Sequence, residues 1–134
     1  MTATLRHGHC LCGAVRFTAR GEFNWVAHCH CESCRRATSA AFATYVGYPA
    51  TAVTWTGEVP RQFHSSAGVT RTFCQYCGSP MSFAGERWPG EIHLFAASFD
   101  EPATLAPQVH VYVEEKLPWV RLDDGLPRIV KNSQ

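Results

Sequence analysis

Seven cysteines, grouped in three short clusters, constrain what this chain can fold into more than any other feature of its sequence. The clusters are Cys10-Leu11-Cys12, Cys29-His30-Cys31-Glu32-Ser33-Cys34 and Cys74-Gln75-Tyr76-Cys77, and they contain every cysteine of the 134 residues. An odd number of cysteines cannot pair completely in disulfides within one chain. The N-terminus lacks the apolar core of a signal peptide, so we expect a cytoplasmic protein with reduced thiols, in which such clusters favour metal binding.

The composition favours one globular domain over residues 1–134. Apolar residues make up 46% of the chain and charged residues 17%, which is enough to fill a core and unlike a disordered protein. The formal net charge of +1 lacks the basic excess of a nucleic-acid-binding domain, so no nucleic-acid partner is expected. Apolar runs stay shorter than the about 18 residues of a membrane-spanning helix, so no membrane partner is expected either.

Short segments in which apolar residues recur at alternate positions predict β-strands. These segments are 14–18, 52–56, 69–73, 92–96 and 110–113, and glycine and proline residues separate them. The residues from Cys31 to Ala41 form the one candidate for a helix. We therefore expect an all-β domain with very little helix, either closed around a core or folded into two packed layers.

Two divisions of the cysteines are compatible with zinc binding. The first and third clusters can form a site closed by four thiolates, which leaves the central cluster as a three-ligand site. Alternatively, the central cluster supplies a pair to one site and other cysteines stay unused. Only the first division uses all seven thiols, and a zinc ion with three protein ligands keeps its fourth position for water or substrate, as in catalytic sites. The CxxC motif at Cys74 and Cys77 lacks the βαβ surroundings of a thioredoxin-like redox centre.

Histidines and arginines adjoin the cysteine clusters. His9, His28 and His30 could each be a fourth zinc ligand, but the position of His30 between two cysteines would direct its side chain away from them. Packing or support of a ligand is therefore expected for His30. Arg35 and Arg36, directly after the central cluster, have three alternative roles: they offset the charge of the thiolates, receive an anionic substrate, or lie in solvent on a helical turn.

Other polar and aromatic residues are expected to be mainly structural. His93, Asp100 and His110 are candidates for acid–base partners, although isolated residues of these types more often satisfy local hydrogen bonds. Trp119, with Leu122 and Leu126, is expected to pack the C-terminal segment over the sheet. Aromatic residues that recur at strand-like intervals are expected in the core, with one or two lining a cleft: Phe23, Trp25, Phe42, Tyr45, Tyr48 and Trp55.

The segments around the cysteines and near the C-terminus resemble the glutathione-dependent formaldehyde-activating enzyme family, whose domain is shared with centromere protein V. The matching segments are GHCLCGAVRF at 8–17, CHCESCRR at 29–36, FCQYCGSP at 73–80, HVYVEEKLPW at 110–119 and DGLP at 124–127. Three ordered cysteine clusters with these flanks are a far more specific signal than a single CxxC motif. Together the segments extend over nearly the whole chain.

The resemblance implies a tent-like all-β fold with two zinc ions per chain. The residues that match the structural site of the family are Cys10, Cys12, Cys74 and Cys77, and those that match its catalytic site are Cys29, Cys31 and Cys34. The implied activity is that of a carbon–sulfur lyase that joins formaldehyde and glutathione as S-hydroxymethylglutathione, with the thiol at the open position of the three-cysteine zinc. The alternative is a non-catalytic zinc module that binds a protein partner, as the relationship to centromere protein V suggests. An exposed sheet edge would allow a homodimer.

Overall fold

The computed structural model describes residues 4–131, which form two β-sheets and a short α-helix. The strands in this part of the chain are β1 (Leu5–His9), β2 (Arg16–Arg20), β3 (Trp25–Cys29), β4 (Ala43–Pro49), β5 (Val53–Trp55), β6 (Arg61–Ser66), β7 (Val69–Phe73), β8 (Pro80–Gly85), β9 (Glu91–Phe95), β10 (Val109–Val111) and β11 (Arg128–Ile129). The helix, α1, spans Glu32–Thr38. The prediction of an all-β fold with very little helix is confirmed.

The two sheets differ in size and in the direction of their strands. The smaller sheet has the antiparallel order β1-β2-β5, and the larger one has the order β11-β10-β3-β4-β9-β8-β7-β6. Within the larger sheet, β10 runs parallel to β3 and to β11, and the other pairs are antiparallel. A strand from the C-terminal part of the chain therefore lies directly beside β3, with Val109 opposite Ala27.

The two faces of the larger sheet carry different residues because side chains alternate along each strand. One face packs on the smaller sheet, in a core that includes Val26 and Leu94 of the larger sheet and Phe17 of the smaller one. The opposite face carries a second cluster of buried residues: Ala27, Cys29, Cys34, Ala43, Tyr45 and Val111. The cysteines of β3 and α1 therefore lie on the face that points away from the smaller sheet.

All five predicted strands are present, with bounds within two residues of those expected, and β7 begins and ends where predicted. The remaining strands have no predicted counterpart: β1, β3, β4, β6, β8 and β11. The helix is shorter than the predicted range of Cys31 to Ala41. It ends at Thr38 because the next residue, Ser39, adopts a left-handed conformation with φ of 53° and caps the helix with its amide.

The prediction that Trp119, Leu122 and Leu126 pack the C-terminal segment over the sheet is wrong for Trp119, whose side chain is 70% exposed, whereas Leu122 and Leu126 are half-buried. Polar contacts hold this segment in place. The Lys116 ammonium donates to the carbonyl oxygens of Leu117 and Val120, and the Arg128 guanidinium donates to the carbonyl oxygen of Leu122. Among residues 4–131, we find no helix with the length and apolar character needed to cross a membrane.

Candidate metal centre

Two turns that are far apart in the sequence bring four cysteine sulfurs together. Cys10 and Cys12 lie between β1 and β2, and Cys74 and Cys77 lie between β7 and β8. The Sγ atom of Cys12 is 3.6 Å from that of Cys10 and 3.7 Å from that of Cys74, and all four sulfurs lie within 4.8 Å of one another. Zinc–sulfur bonds of about 2.3 Å in a tetrahedral site separate the sulfurs by roughly 3.8 Å, so this four-cysteine cluster fits zinc.

Hydrogen-bond donors face the sulfurs of the four-cysteine cluster. The amide of Val15 donates to the Sγ atom of Cys10 at 3.3 Å. The hydroxyl of Ser79 lies 3.2 Å from the Sγ atom of Cys77 and, together with the Ser79 amide, lowers the pKa of that thiol to about 5. Gly78 allows this turn to form because its φ of 77° is accessible to glycine at no steric cost. These donors favour the thiolate form, which is the form that binds metal.

The end of β3 and the first turn of α1 position the second group of sulfurs, the three-cysteine cluster of Cys29, Cys31 and Cys34. Cys29 is the last residue of β3, and Cys31 is the N-cap of α1, where its Sγ atom accepts a hydrogen bond from the Cys34 amide at 3.3 Å. The Sγ atoms of Cys31 and Cys34 are 3.0 Å apart, and all three sulfurs lie within 4.8 Å. Three thiolates can hold a zinc ion and leave its fourth position to a ligand from outside the cluster.

Tyr45 and Arg71 stabilise the negative charge of the three-cysteine cluster. The Tyr45 hydroxyl donates to the Sγ atom of Cys34 at 3.4 Å, and the Arg71 guanidinium donates to the Tyr45 oxygen at 3.4 Å. Hydrogen bonds from the neighbouring cysteine thiols and from Tyr45, with the positive charge of Arg71, lower the pKa of Cys34 to about 3 even though burial opposes this. Arg71 also lies 4.9 Å above the centre of the Phe83 ring, which fixes its orientation.

We expect Tyr45→Phe to weaken zinc binding at the three-cysteine cluster by about tenfold to a hundredfold, the range typical for partners that hydrogen-bond to metal ligands. The substitution removes the hydroxyl that donates to Cys34 and leaves the ring in place. Competition with a chromogenic chelator measures the affinity. Tyr48→Phe is the matched control, because the Tyr48 hydroxyl donates to the Gly21 carbonyl and its ring belongs to the core between the sheets. Equal zinc affinities of the two variants would contradict the role of Tyr45.

A chain of hydrogen bonds leads from the backbone between the cysteines to the C-terminal segment. His30 is fully buried, and its Nε2 atom lies 2.9 Å from Nδ1 of His110, whose Nε2 atom lies 2.8 Å from Oδ2 of Asp124. A carboxylate only accepts, so neutral His110 donates from Nε2 and accepts from His30 at Nδ1. Burial and the neighbouring positive groups lower the pKa of His30 to about 4. His30 therefore belongs to this hydrogen-bonded network, and its ring nitrogens are not grouped with the sulfurs of the three-cysteine cluster.

The imidazole of His28 completes a third group of potential metal ligands with His110 and Asp124, but this group is better described as a hydrogen-bonded network. Both ring nitrogens of His110 are already engaged in the contacts with His30 and Asp124. The Nδ1 atom of His28 lies 2.8 Å from the Thr44 hydroxyl, and its ring stacks on that of His110. The geometry thus favours packing over metal coordination.

The arginines next to the central cluster do not serve as its counter-charge. The Arg36 guanidinium pairs with the Glu32 carboxylate at 2.8 Å on the exposed face of α1, and the Arg35 guanidinium donates to the His30 carbonyl. Arg71 instead provides the positive charge beside the thiolates of the three-cysteine cluster. Its sequence neighbours gave no signal of this, because a charged residue between two threonines in a strand is usually on a solvated face.

The remaining acid–base candidates have local partners. The imidazole of His9 lies beside the exposed carboxylate of Asp100 at 3.6 Å, on the outside of the smaller sheet. His93 is buried, and its Nε2 atom lies 2.9 Å from the Glu91 carboxylate. Burial lowers the pKa of His93 although Glu91 opposes this, which keeps the imidazole closer to its neutral form. His93 lines the cleft described next, whereas His9, Glu91 and Asp100 do not.

A cleft of about 1000 Å³ opens beside the three-cysteine cluster. All three cysteines line it, together with Tyr45 and Arg71, and in the described part of the chain no residue of the four-cysteine cluster does. Its other walls are largely apolar, from residues that include Trp25, Phe83, Trp88, Phe95, Val109, Val111 and Tyr112. Of the six aromatic residues expected in the core or in a cleft wall, Trp25 and Tyr45 line this cleft. A small molecule in this cleft can reach the three sulfurs.

Comparisons with known proteins agree with this arrangement. A family model described as glutathione-dependent formaldehyde-activating enzyme matches residues 5–115. A Halomonas elongata protein described as a "putative glutathione-dependent formaldehyde-activating enzyme" is 30% identical over 128 residues, which is 89% of this chain and 82% of that protein. An uncharacterized lyase of Schizosaccharomyces pombe is 34% identical over 77 residues, covering 58% of this chain and 56% of the yeast protein.

The crystal structure of a Rhodobacter sphaeroides protein has a similar fold. Its TM-score to this chain is 0.60 at 18% sequence identity, and the match covers 91% of this chain and 98% of that protein. The similarity supports the fold, and the family is shown by the model that matches residues 5–115. This chain belongs to the glutathione-dependent formaldehyde-activating enzyme family.

Proposed function

We propose that the chain is a zinc-dependent carbon–sulfur lyase that forms and cleaves adducts between an aldehyde and a small thiol, with formaldehyde and glutathione as the pair suggested by the family. The observation that carries this proposal is the three-cysteine cluster, whose sulfurs all lie within 4.8 Å of one another. The cluster lines a cleft that is large enough for both reactants. The proposal includes two zinc ions per chain, one structural at the four-cysteine cluster and one catalytic at the three-cysteine cluster, and the two groups of cysteines support it.

The reaction is an addition that needs no further reactant. A carbon–sulfur bond forms, the carbonyl π bond breaks, and the proton of the thiol ends on the former carbonyl oxygen. Zinc bound by Cys29, Cys31 and Cys34 would supply an open position at which a thiol is held as the thiolate at neutral pH.

The residues around the three-cysteine cluster would prepare this site for an anionic thiol. Tyr45 and Arg71 provide donors and positive charge where thiolates accumulate, through the contacts with Cys34. The cleft walls hold the thiol and the aldehyde next to each other, which replaces a bimolecular encounter by an oriented one. The network of His30, His110 and Asp124 fixes the backbone between two of the ligands.

Exchange spectroscopy on ¹³C-labelled formaldehyde tests this function, because it reports how fast the aldehyde and its thiol adduct interconvert. We expect the zinc-loaded protein to accelerate exchange with glutathione or with 2-mercaptoethanol. A chelator that removes the more labile zinc should abolish the acceleration, and added zinc should restore it. If neither thiol exchanges faster than in buffer alone, the proposed lyase activity is wrong.

A further inference from the structure

The cleft is much larger than an aldehyde of one carbon requires. Its volume of about 1000 Å³ is at the upper end of the range of about 300–1,000 Å³ that holds drug-sized ligands. Formaldehyde has only two heavy atoms, so nearly all of this space faces whatever is attached to the reacting sulfur. The residues that line the cleft therefore decide which thiol fits.

The inner wall of the cleft is aromatic and continuous. The ring of His93 lies at its centre, with ring centroids 4.6 Å from Trp25, 5.3 Å from Phe83 and 5.4 Å from Trp88. Among residues 4–131, the polar contact of His93 is with Glu91. Apart from the indole Nε1 atoms of Trp25 and Trp88, which are buried without a hydrogen-bond partner in the described part of the chain, the wall offers ring faces and edges, which favour an apolar or aromatic group.

Aliphatic residues extend this wall towards the three-cysteine cluster. Val109 and Val111 of β10 line the cleft beside Ala27 of β3, and Ile129 of β11 continues the same surface. Ala27 and Val111 belong to the buried cluster that contains Cys29 and Cys34, and Val109 and Ile129 pack against it. If the sulfur of a thiol lies at the three cysteines, the first carbon atoms of that thiol would therefore lie next to an apolar surface.

The charged residues that line the cleft either contact other residues of the cleft wall or are exposed at the mouth of the cleft. The Arg71 guanidinium is bound to Tyr45 and stacks on Phe83. The other charged residues that line the cleft are exposed, and they include both signs: Arg36, Glu86, Arg87 and Glu115. Arg71 is the one interior cation among the described residues of the cleft, and it is directed at Tyr45 and the three-cysteine cluster. The carboxylates of a peptide thiol would therefore have to stay at the mouth.

We infer that the preferred thiol at this site carries an aryl or branched alkyl group, which packs on the wall formed by Trp25, Phe83 and Trp88. This inference rests on the proposed function, since it assumes that a thiol reaches the three cysteines. It assigns the aromatic wall to substrate selection and Trp88 to specificity. Glutathione, with its charged peptide groups, would bind more weakly than an apolar thiol of smaller size.

Titration of the cobalt-substituted protein with three thiols tests the inference without an activity assay. A thiolate that binds Co²⁺ at the three-cysteine cluster adds charge-transfer absorption, whereas the four-cysteine cluster already has its full set of sulfur ligands. The probes are benzyl mercaptan, 2-mercaptoethanol and glutathione. We expect benzyl mercaptan to reach half-saturation at a concentration at least about tenfold lower than either other thiol, because burial of one phenyl ring is worth more than one tenfold step in affinity.

Two variants with the same type of substitution locate the binding surface. Trp88→Ala should raise the midpoint for benzyl mercaptan by about fivefold or more, as expected for the loss of an aromatic contact, and should leave that for 2-mercaptoethanol unchanged. Trp119→Ala is the matched control, since its exposed side chain is not part of the cleft. Phe83→Leu gives a second test in which most of the apolar volume is kept, should Trp88→Ala not fold.

The outcomes separate the inference from the function on which it rests. If none of the three thiols changes the cobalt spectrum, the open position of the three-cysteine cluster and the proposed function fail together with the inference. If all three thiols bind with similar midpoints, or if glutathione binds most tightly, the inference is wrong while the function stands. An equal response of the Trp88→Ala and Trp119→Ala proteins to benzyl mercaptan would also overturn it.

Discussion

Replacing Cys74 with serine is expected to prevent folding rather than only to remove a metal ion. Cys74 is completely buried, and its cluster joins two turns that are otherwise separated by more than 60 residues of sequence. Structural zinc contributes about 10–16 kcal/mol of binding free energy in zinc-finger peptides at pH 7, whereas a typical domain unfolds with only about 5–15 kcal/mol. Losing one zinc ligand is therefore expected to cost a free energy comparable to the entire free energy of unfolding. Soluble yield, circular dichroism and bound zinc measure the effect.

Substitutions in the other turn of the cluster separate metal binding from packing. Cys12→Ser should unfold the protein as well, although the Cys12 side chain is exposed and fills no core position. Leu11→Ser is the matched control, because Leu11 lies in the same turn and is 86% exposed. Its melting temperature should stay close to that of the wild type. A Cys12→Ser protein that melts normally after losing zinc would show that the four-cysteine cluster is dispensable for the fold.

Cys31→Ser is expected to abolish activity and leave the fold intact. Serine is among the preferred N-cap residues, so its hydroxyl can replace the Cys31 sulfur as acceptor for the Cys34 amide and the helix should keep its start. The metal site, however, loses one of three ligands. We expect bound zinc to fall from two ions per chain to one, and aldehyde exchange to fall by more than about a hundredfold, beyond the range seen for outer partners of metal ligands.

Metal analysis, circular dichroism and exchange spectroscopy on one preparation check all parts of this expectation. Glu32→Gln is a suitable control because Glu32 adjoins Cys31 in sequence, is exposed, and does not line the cleft. It should keep two zinc ions and full activity. If Cys31→Ser and Cys74→Ser proteins aggregate to the same extent, the division into a structural and a catalytic cluster is incorrect.

The strands that the sequence revealed are those with one apolar face. Val69–Phe73 forms β7 with the predicted bounds because Val69 and Phe73 share one face with Arg71 while Thr70 and Thr72 lie on the other, which keeps the period of two. β4 escaped prediction for the opposite reason. Residues 45 to 48 are buried one after another, since both faces of the sheet are covered at this position, and such a run has no period of two. β6 is exposed at every residue and owes its place to hydrogen bonds with β7.

The candidate metal ligands could be predicted from the sequence because cysteines are rare and their spacing is distinctive. The residues that stabilise their thiolate form could not be predicted in this way. Tyr45 is one of several aromatic residues in strands, and its contact with Cys34 depends on how α1 packs on β4. Arg71 reaches Tyr45 from β7, which is three strands away from β4 in the sheet. Local sequence patterns do not show which residues of distant strands lie together, so these contacts can be found only from the folded structure.

The parallel pairing of β3 with β10 sets an order in which the protein can be completed during translation. The amide of His30 donates to the Val111 carbonyl, so the backbone between Cys29 and Cys31 is braced by residues made about 80 positions later. The four-cysteine cluster has its last ligand at Cys77. A nascent chain thus possesses all ligands of that cluster well before the ribosome releases β10, and domains generally form from the N-terminal side during synthesis. The strand that braces the three-cysteine cluster is therefore synthesised after the ligands of both clusters.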